Sequence, residues 1–67
     1  MPVVRISLLK GRTSEQKKNL ISGVTDAISK ALNKDKEYVW VILDEVDKEH
    51  FGVGGVSCDQ REVQGVD

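Results

Sequence analysis

Pro2, directly after Met1, is the residue of this chain with the most distinctive chemistry. Methionine is commonly removed when the next residue is small, and removal here leaves a secondary amine at the chain terminus. An α-amino group has a reference pKa of about 7.7 to 8.0, which apolar surroundings or a nearby cation lower, so this amine could serve as a general base near neutral pH. The alternative is that Pro2 only opens a strand, where its missing N–H is harmless. With Met1 retained, the Pro2 nitrogen is an amide and cannot be a base.

Arg12 is the second candidate, because it follows Gly11 in the connection between a predicted strand and a predicted helix. Connections of this kind commonly carry residues that contact ligands. A guanidinium can hold a carboxylate through two parallel hydrogen bonds, so Arg12 could anchor an acidic substrate. The alternative is a solvated surface charge. Arg5 is a weaker candidate, because the strand face on which it lies is the one expected to be exposed.

The remaining reactive side chains do not form a recognisable site. The glycine-rich segment 51–55, FGVGG, is not followed by a helix, so it predicts a turn rather than a phosphate-binding loop. Cys58 is interpreted as an incidental free thiol, since there is no second cysteine and only one histidine to activate it. Five potential metal ligands have a spacing that fits neither an EF-hand loop nor an HExxH helix, so no metal and no other cofactor is predicted: Asp44, Glu45, Asp47, Glu49 and His50.

The hydrophobic pattern predicts the elements that position these residues. Residues 3–9, VVRISLL, alternate in polarity and predict a strand buried mainly on one face. Thr13 and Gln16 fit a capping box that starts a helix of about 19 residues with one apolar stripe, ending at Asn33. Residues 38–46, YVWVILDEV, predict a second strand with cover on both faces.

The connections between these elements fix the expected fold. A helical connection of some 28 residues makes the two strands parallel, with a right-handed crossover. Residues 47–57 carry three glycines within four positions and predict a tight turn or short hairpin, followed by a polar tail, 58–67, that is expected to be partly mobile. Gly23, Ala27 and Ala31 form a row of small residues on the helix, which predicts close packing against a sheet or a neighbouring helix. The predicted fold class is α/β, a β-α-β subunit.

Composition bounds the class of protein. A chain of 67 residues forms one domain, 1–67, which buries only about 60% of the surface its unfolded form exposes. One cysteine and one histidine supply neither an internal disulfide nor a four-ligand zinc site, so assembly with other copies is the expected source of stability. The net charge of −1 argues against a nucleic-acid partner. The opening segment carries Arg5 and Lys10 and matches neither a signal peptide nor a membrane span, so we expect a cytoplasmic protein with no membrane partner.

Taken together, these residues resemble the 4-oxalocrotonate tautomerase family of short enzymes with an amino-terminal proline. The resemblance runs from Pro2 to about Gly55 and is carried by Pro2 at the start of a strand, by residues 9–17, LKGRTSEQK, and by residues 50–55, HFGVGG. It implies a β-α-β subunit with a short carboxy-terminal β-hairpin. It also implies a homo-oligomer, a hexamer built from dimers, with active sites at subunit boundaries.

The resemblance also implies a role for three residues. In the family, the proline amine moves a proton on a small carboxylated enol, such as 2-hydroxymuconate or phenylenolpyruvate, and converts it to the ketone. Pro2 matches that base. Arg12 matches an arginine that a neighbouring subunit supplies to hold the substrate carboxylate, and Phe51 matches the aromatic residue that keeps the pocket apolar.

Trp40 departs from the family pattern, since well-known members have a second arginine there that polarises the substrate's keto oxygen. Losing one such donor typically lowers the rate by about 10² to 10³. Either Arg5, Lys36 or a backbone amide near Leu9 replaces it, or the substrate differs, for example a planar aromatic enol that stacks on Trp40. Trp40 could equally be a core or interface residue that contacts no ligand.

Alternative functions therefore remain open. The same amine could serve hydration, dehalogenation or decarboxylation of an unsaturated acid. In a different class, the chain could be a catalytically weak or idle oligomeric binding or assembly protein that keeps the fold. Retention of Pro2 and Arg12 argues against an idle protein, whereas Trp40 and a retained Met1 would favour one.

Overall fold

The computed structural model describes residues 1–60, so most of the tail for which mobility was predicted lies outside the described residues. Three elements build the main unit: strand β1 (Val3–Leu9), helix α1 (Ser14–Leu32) and strand β2 (Trp40–Val46). Two short strands follow, β3 (Gly52–Val53) and β4 (Val56–Ser57). β1 and β2 are parallel, and β3 and β4 form an antiparallel hairpin, which confirms the predicted β-α-β fold with a carboxy-terminal hairpin.

The ends of α1 are fixed by the local sequence. The Thr13 side chain accepts a hydrogen bond from the backbone N–H of Gln16, and the Gln16 side chain accepts one from the Thr13 N–H, which confirms the predicted capping box. Asn33 ends the helix in the left-handed conformation, with φ 55° and ψ 49°. The chain therefore enters and leaves α1 at positions that its own side chains set.

The second strand begins later than the sequence pattern predicts, at Trp40 rather than Tyr38. The polar run before it forms a 3₁₀ turn, Lys36–Tyr38. The backbone N–H groups of Tyr38 and Val39 donate to the carbonyl oxygens of Asp35 and Lys36, each at 3.0 Å. Because the turn uses these donors, the strand ladder starts at the next residue.

The prediction that β2 is covered on both faces is wrong for the single chain. One face of the sheet, with Val41 and Leu43 of β2, is half-buried on the side of α1. On the other face the side chains of Trp40 and Ile42 remain 54% and 37% exposed, beside Val3 at 55%. A single helix can cover only one side of a two-stranded sheet, so the other side, with Val3, Trp40 and Ile42, is exposed to solvent and is called the open face below.

The core of the described chain is small. Among residues 1–60, only Leu9, Val39 and Cys58 are buried. The apolar stripe of α1 is only partly covered, and Ile21 and Leu32 stay 39% and 53% exposed. A side-chain carbon built at Gly23 would meet no atom within 4 Å, so within the chain the small-residue row is not packed against the sheet.

The hairpin forms a separate two-stranded sheet after the 3₁₀ turn Lys48–His50. Gly54 and Gly55 have φ of 64° and 85°, the left-handed values that a two-residue hairpin turn requires. The Cys58 N–H donates to the carbonyl oxygen of Phe51 at 2.8 Å and ties the hairpin to the segment that follows β2. In residues 1–60 no helix combines the length and apolar character needed to cross a membrane.

Candidate active site

Pro2 lies immediately before β1, at the end of the sheet where both parallel strands begin. Its carbonyl oxygen accepts a hydrogen bond from the Trp40 N–H at 3.0 Å, which is the first rung of the ladder between β1 and β2. Met1, which precedes it, is 75% exposed, while Pro2 itself is half-buried. The ladder therefore fixes the Pro2 carbonyl group, while its nitrogen lies just outside the sheet.

Arg12 lies at the opposite end of the sheet, beyond the carboxyl end of β1, and a turn and a helix cap position it there. Gly11 has φ of 124°, a conformation that side chains other than glycine rarely adopt, and it turns the chain from β1 toward α1. Thr13 then caps α1 directly after Arg12. Arg12 lines an open depression of about 180 Å³, whose other walls are Leu8, Gln16, Lys17 and Leu20.

The charges around this depression leave Arg12 available for an anion. Lys10 Nζ lies 3.0 Å from Asp47 Oδ1, and Lys17 Nζ lies 3.0 Å from Glu45 Oε1. Within residues 1–60, Arg12 makes no ion pair with any carboxylate. The neighbouring lysines are paired with acidic side chains of β2 and the segment after it, so in the described part of the chain Arg12 is the lining cation without an ion pair.

Phe51 lies in the segment after β2 and is half-buried. Its N–H donates to the Lys48 carbonyl oxygen at 3.4 Å, and its own carbonyl accepts the hydrogen bond from Cys58. Residues that follow the carboxyl ends of adjacent parallel strands share one edge of the sheet. Arg12 follows β1 and Phe51 follows β2 along the chain, but Phe51 comes after the 3₁₀ turn Lys48–His50 and does not line the depression of Arg12.

The four predicted site residues fall into two pairs, one near the amino ends of the two strands and one beyond their carboxyl ends. Pro2 and Trp40 stand where the strands begin, and Arg12 and Phe51 stand where they end. A parallel strand rises about 3.3 Å per residue, so Pro2 and Leu9 are roughly 23 Å apart. That distance is well beyond the length of an arginine side chain, so one chain does not bring all four together.

Two of the cations considered as substitutes for an arginine at position 40 are already paired. Arg5 Nε lies 3.3 Å from Asp44 Oδ2, and Lys36 Nζ lies 2.7 Å from Asp26 Oδ1. The hydrogen bond from Lys36 lowers the pKa of the Asp26 carboxyl below its ordinary value, and the same contact raises the pKa of the Lys36 ammonium. Lys36 therefore connects α1 to the turn before β2.

The backbone amide of Leu9 is the third substitute, and the ladder leaves it pointing outward. The carbonyl of Pro2 and the N–H of Lys10 both bond to β2, so the even-numbered residues of β1 face that strand. Since successive residues of a strand point their backbone groups to opposite sides, the Leu9 N–H is directed to the free edge of β1. Leu9 as a whole residue is 4% exposed, so little solvent reaches this donor within one chain.

Sequence reasoning did not identify the two ion pairs that isolate Arg12, nor the leucines that wall its depression. Leu8 lies on the sheet face toward α1 and Leu20 on the apolar stripe of the helix, so their convergence follows from period-2 and period-3.6 patterns together. The pairing of Lys17 with Glu45 spans 28 positions and had no local signal. Among residues 1–60 no group of three or more His, Cys, Asp and Glu side chains is placed to hold a metal ion.

The fold and these residues define a class of small β-α-β proteins with a proline at the start of the first strand. Residues 2–61 match the family model described as Tautomerase enzyme. A probable tautomerase of Staphylococcus haemolyticus is 45% identical over 62 residues, which cover 92% of this chain and 100% of that protein. The chain belongs to the tautomerase family.

Solved structures agree with this assignment. The 4-oxalocrotonate tautomerase isozymes of Methylibium petroleiphilum include a chain with a TM-score of 0.88 and 34% identity, and the match covers 91% of this chain and 95% of that one. A heterohexamer 4-oxalocrotonate tautomerase from Chloroflexus aurantiacus gives a TM-score of 0.86 at 35% identity, covering 90% of this chain and 97% of its counterpart.

Proposed function

We propose that this protein is a tautomerase that converts a small carboxylated enol to its ketone, with the Pro2 amine as general base after Met1 is removed. The observation that carries the proposal is the Arg12 guanidinium, which has no ion pair within residues 1–60 and lies in a depression walled by Leu8 and Leu20. A charge-assisted pair of hydrogen bonds to a carboxylate suits that position. We extend the proposal to a cytoplasmic location, which the composition of the chain favours.

The site is proposed to be complete only in a homo-oligomer, which we take to be a hexamer. The separation of Pro2 from Arg12 within one chain supports this, because Arg12 must reach the substrate from a neighbouring copy. The bare sheet face with Val3, Trp40 and Ile42 supplies apolar surface that a second copy could bury. The heterohexamer described for the Chloroflexus aurantiacus protein shows that a relative assembles in this number.

The proposed reaction divides the chemistry among three groups. Arg12 fixes the substrate carboxylate, and the neutral Pro2 amine accepts the proton of the enol hydroxyl group. The resulting ammonium returns a proton to the substrate carbon, which leaves the ketone and restores the amine. The outward-facing Leu9 N–H is the donor that we assign to the substrate oxygen, because Arg5 and Lys36 are held by carboxylates.

Phe51 and the apolar walls set the strength of the base. An apolar environment disfavours the charged form of an amine and lowers its pKa, so the amine is neutral and ready to accept a proton near pH 7. The hydrogen bond from Cys58 joins Phe51 to the hairpin, and in the proposed assembly Phe51 contributes to the apolar wall of the site.

Replacement of the base tests the proposal. Ketonisation of 2-hydroxymuconate and of phenylenolpyruvate would be followed for the native protein and for Pro2→Ala, with intact masses confirming that Met1 is absent from both. A general base contributes about 10² to 10⁴ in rate, and Pro2→Ala keeps a primary amine at the terminus, so kcat/KM should fall by up to that factor. Equal rates for the two proteins would show that the secondary amine of Pro2 is not required.

A further inference from the structure

We propose that the site selects a monoanionic substrate, an enol that carries one carboxylate and a flat apolar or aromatic group contacted by Trp40. This inference rests on the proposed function and narrows it to a class of substrate. It follows from the charges and apolar surface that the chain offers around the predicted site.

The cations at the site support binding of one carboxylate. Of the two cations that line the Arg12 depression, Lys17 is paired with Glu45, whereas Arg12 has no ion pair among residues 1–60. Lys48, in the turn after β2, also has no ion pair among these residues, but it does not line the depression. On the open face of the sheet, Arg5 is the only positively charged side chain that β1 and β2 carry. That side chain is paired with Asp44.

The same count applies to every site of a homo-oligomer. Each copy contributes identical residues, so the described residues supply one Arg12 and one Arg5 per site whichever copies meet. A second substrate carboxylate on the open face of the sheet would have to displace Asp44 from Arg5, because β1 and β2 carry no other cation. A dianion would therefore lack a free counter-charge on that face.

Trp40 supplies the complementary surface. Its side chain is 54% exposed and shares the open face with Val3, its partner across the ladder, and with Ile42. An indole ring offers a flat apolar surface and one N–H, so it favours stacking with a planar group. A carboxylate placed there would lose its water without gaining a positive partner, which is unfavourable. Trp40 thus favours binding of an aryl substituent and disfavours binding of a second carboxylate.

The test compares two probes across variants at one position. Phenylenolpyruvate has one carboxylate and a phenyl group, whereas 2-hydroxymuconate has two carboxylates. The native protein should show a kcat/KM about tenfold or more higher for phenylenolpyruvate. Trp40→Arg should shift the ratio of the two kcat/KM values by at least about tenfold toward 2-hydroxymuconate, whereas Trp40→Phe should keep the native preference.

Tyr38→Arg is the matched control. Tyr38 is an equally exposed aromatic residue, at 57%, but it lies in the 3₁₀ turn before β2. The same charge change there should leave the ratio within about twofold of the native value. A ratio that moves as far in Tyr38→Arg as in Trp40→Arg would show a general effect of added charge and would overturn the assignment to Trp40.

Two other results would overturn the inference, and neither requires the proposed function to fail. One is a Pro2-dependent native enzyme that prefers 2-hydroxymuconate. The other is a Trp40→Arg or Trp40→Leu protein that loses both activities equally together with its native mass by light scattering, which would make Trp40 an interface residue. Activity that survives Pro2→Ala unchanged would instead defeat the proposed function itself.

Discussion

The backbone N–H of Trp40 donates a hydrogen bond to the carbonyl oxygen of Pro2 across 3.0 Å. This contact begins the parallel ladder, so the last fixed atom of the sheet belongs to the same residue as the proposed catalytic nitrogen. Proline has no N–H to contribute to the ladder, and none is needed at a strand start. The nitrogen can therefore face the site while the rest of Pro2 is held in place.

Arg12 is expected to act mainly through substrate binding. Hydrogen bonds to charged groups are worth about 1.5 to 3 kcal/mol, so Arg12→Ala should lower kcat/KM by about 10- to 100-fold, chiefly through a higher KM. Arg12→Lys keeps the charge but loses the two-pronged geometry, so it should recover only part of the loss. Lys18→Ala, an exposed change in the first turns of α1, is the control. Unchanged KM in Arg12→Ala would contradict the anchoring role.

The division of the site between copies predicts complementation. Pro2→Ala and Arg12→Ala proteins are each expected to have a kcat/KM about tenfold or more below the native value, but mixed oligomers would contain sites with a native Pro2 from one copy and a native Arg12 from another. Random assembly makes such sites about a quarter of the total in a closed homo-oligomer. Unfolding and refolding the two variants together, followed by ketonisation assays, should restore activity to about that fraction. No recovery would mean that both residues serve the site from one chain.

Lys36 is expected to be a structural contact and not the oxygen donor. Lys36→Met should leave kcat/KM within about twofold, and Lys34→Met is the matched control. Loss of activity in Lys36→Met but not in Lys34→Met would show that Lys36 acts in the active site.

The same variant predicts a change in titration that NMR can follow. The depressed pKa of Asp26 adds stability above the ordinary Asp value of about 3.9, and this is lost as the pH falls through the depressed value. The raised pKa of Lys36 adds stability that is lost as the pH rises above about 10.4. Lys36→Met should return the Asp26 carboxyl signal toward ordinary titration. An unchanged Asp26 titration would show that the contact does not persist in solution.

Removal of Met1 is predicted to switch the activity on. A 67-residue chain is short enough for chemical synthesis, so forms beginning at Met1 and at Pro2 can be compared directly. Only the second form has a basic nitrogen at Pro2, and it alone should ketonise the substrate. Circular dichroism should be the same for both, because Met1 is exposed and the ladder begins after it. Equal activity of the two forms would contradict the role of the amine.

The features that sequence reasoning predicted correctly depend on neighbours within a few positions. Thr13 and Gln16 cap α1 through contacts three residues apart, and Asn33 ends it through its own conformation. The start of β2 was placed too early, because the apolar run beginning at Tyr38 gave no sign that a 3₁₀ turn uses its N–H. Whether the N–H groups of Tyr38 and Val39 bond within the turn or to β1 depends on the polar residues that precede them.

The candidate site was predictable as a set of residues but not as an arrangement. Pro2 and Arg12 could be singled out by residue type and position. That Arg12 has no ion pair within residues 1–60 depends on Glu45 reaching Lys17 and on Asp47 reaching Lys10. These contacts follow from the register of the parallel strands and from the position of α1 over them, which tertiary packing alone determines.

The central claim is that the nitrogen of Pro2 is the base. Pro2 is the single proline of the chain, so labelling with [¹⁵N]proline gives one resonance to follow by NMR across pH. The claim predicts an amine resonance whose pKa lies at or below about 7.7 to 8.0 and coincides with the acidic limb of the pH profile of kcat/KM. A resonance that does not titrate, or whose pKa differs from that limb, would contradict it.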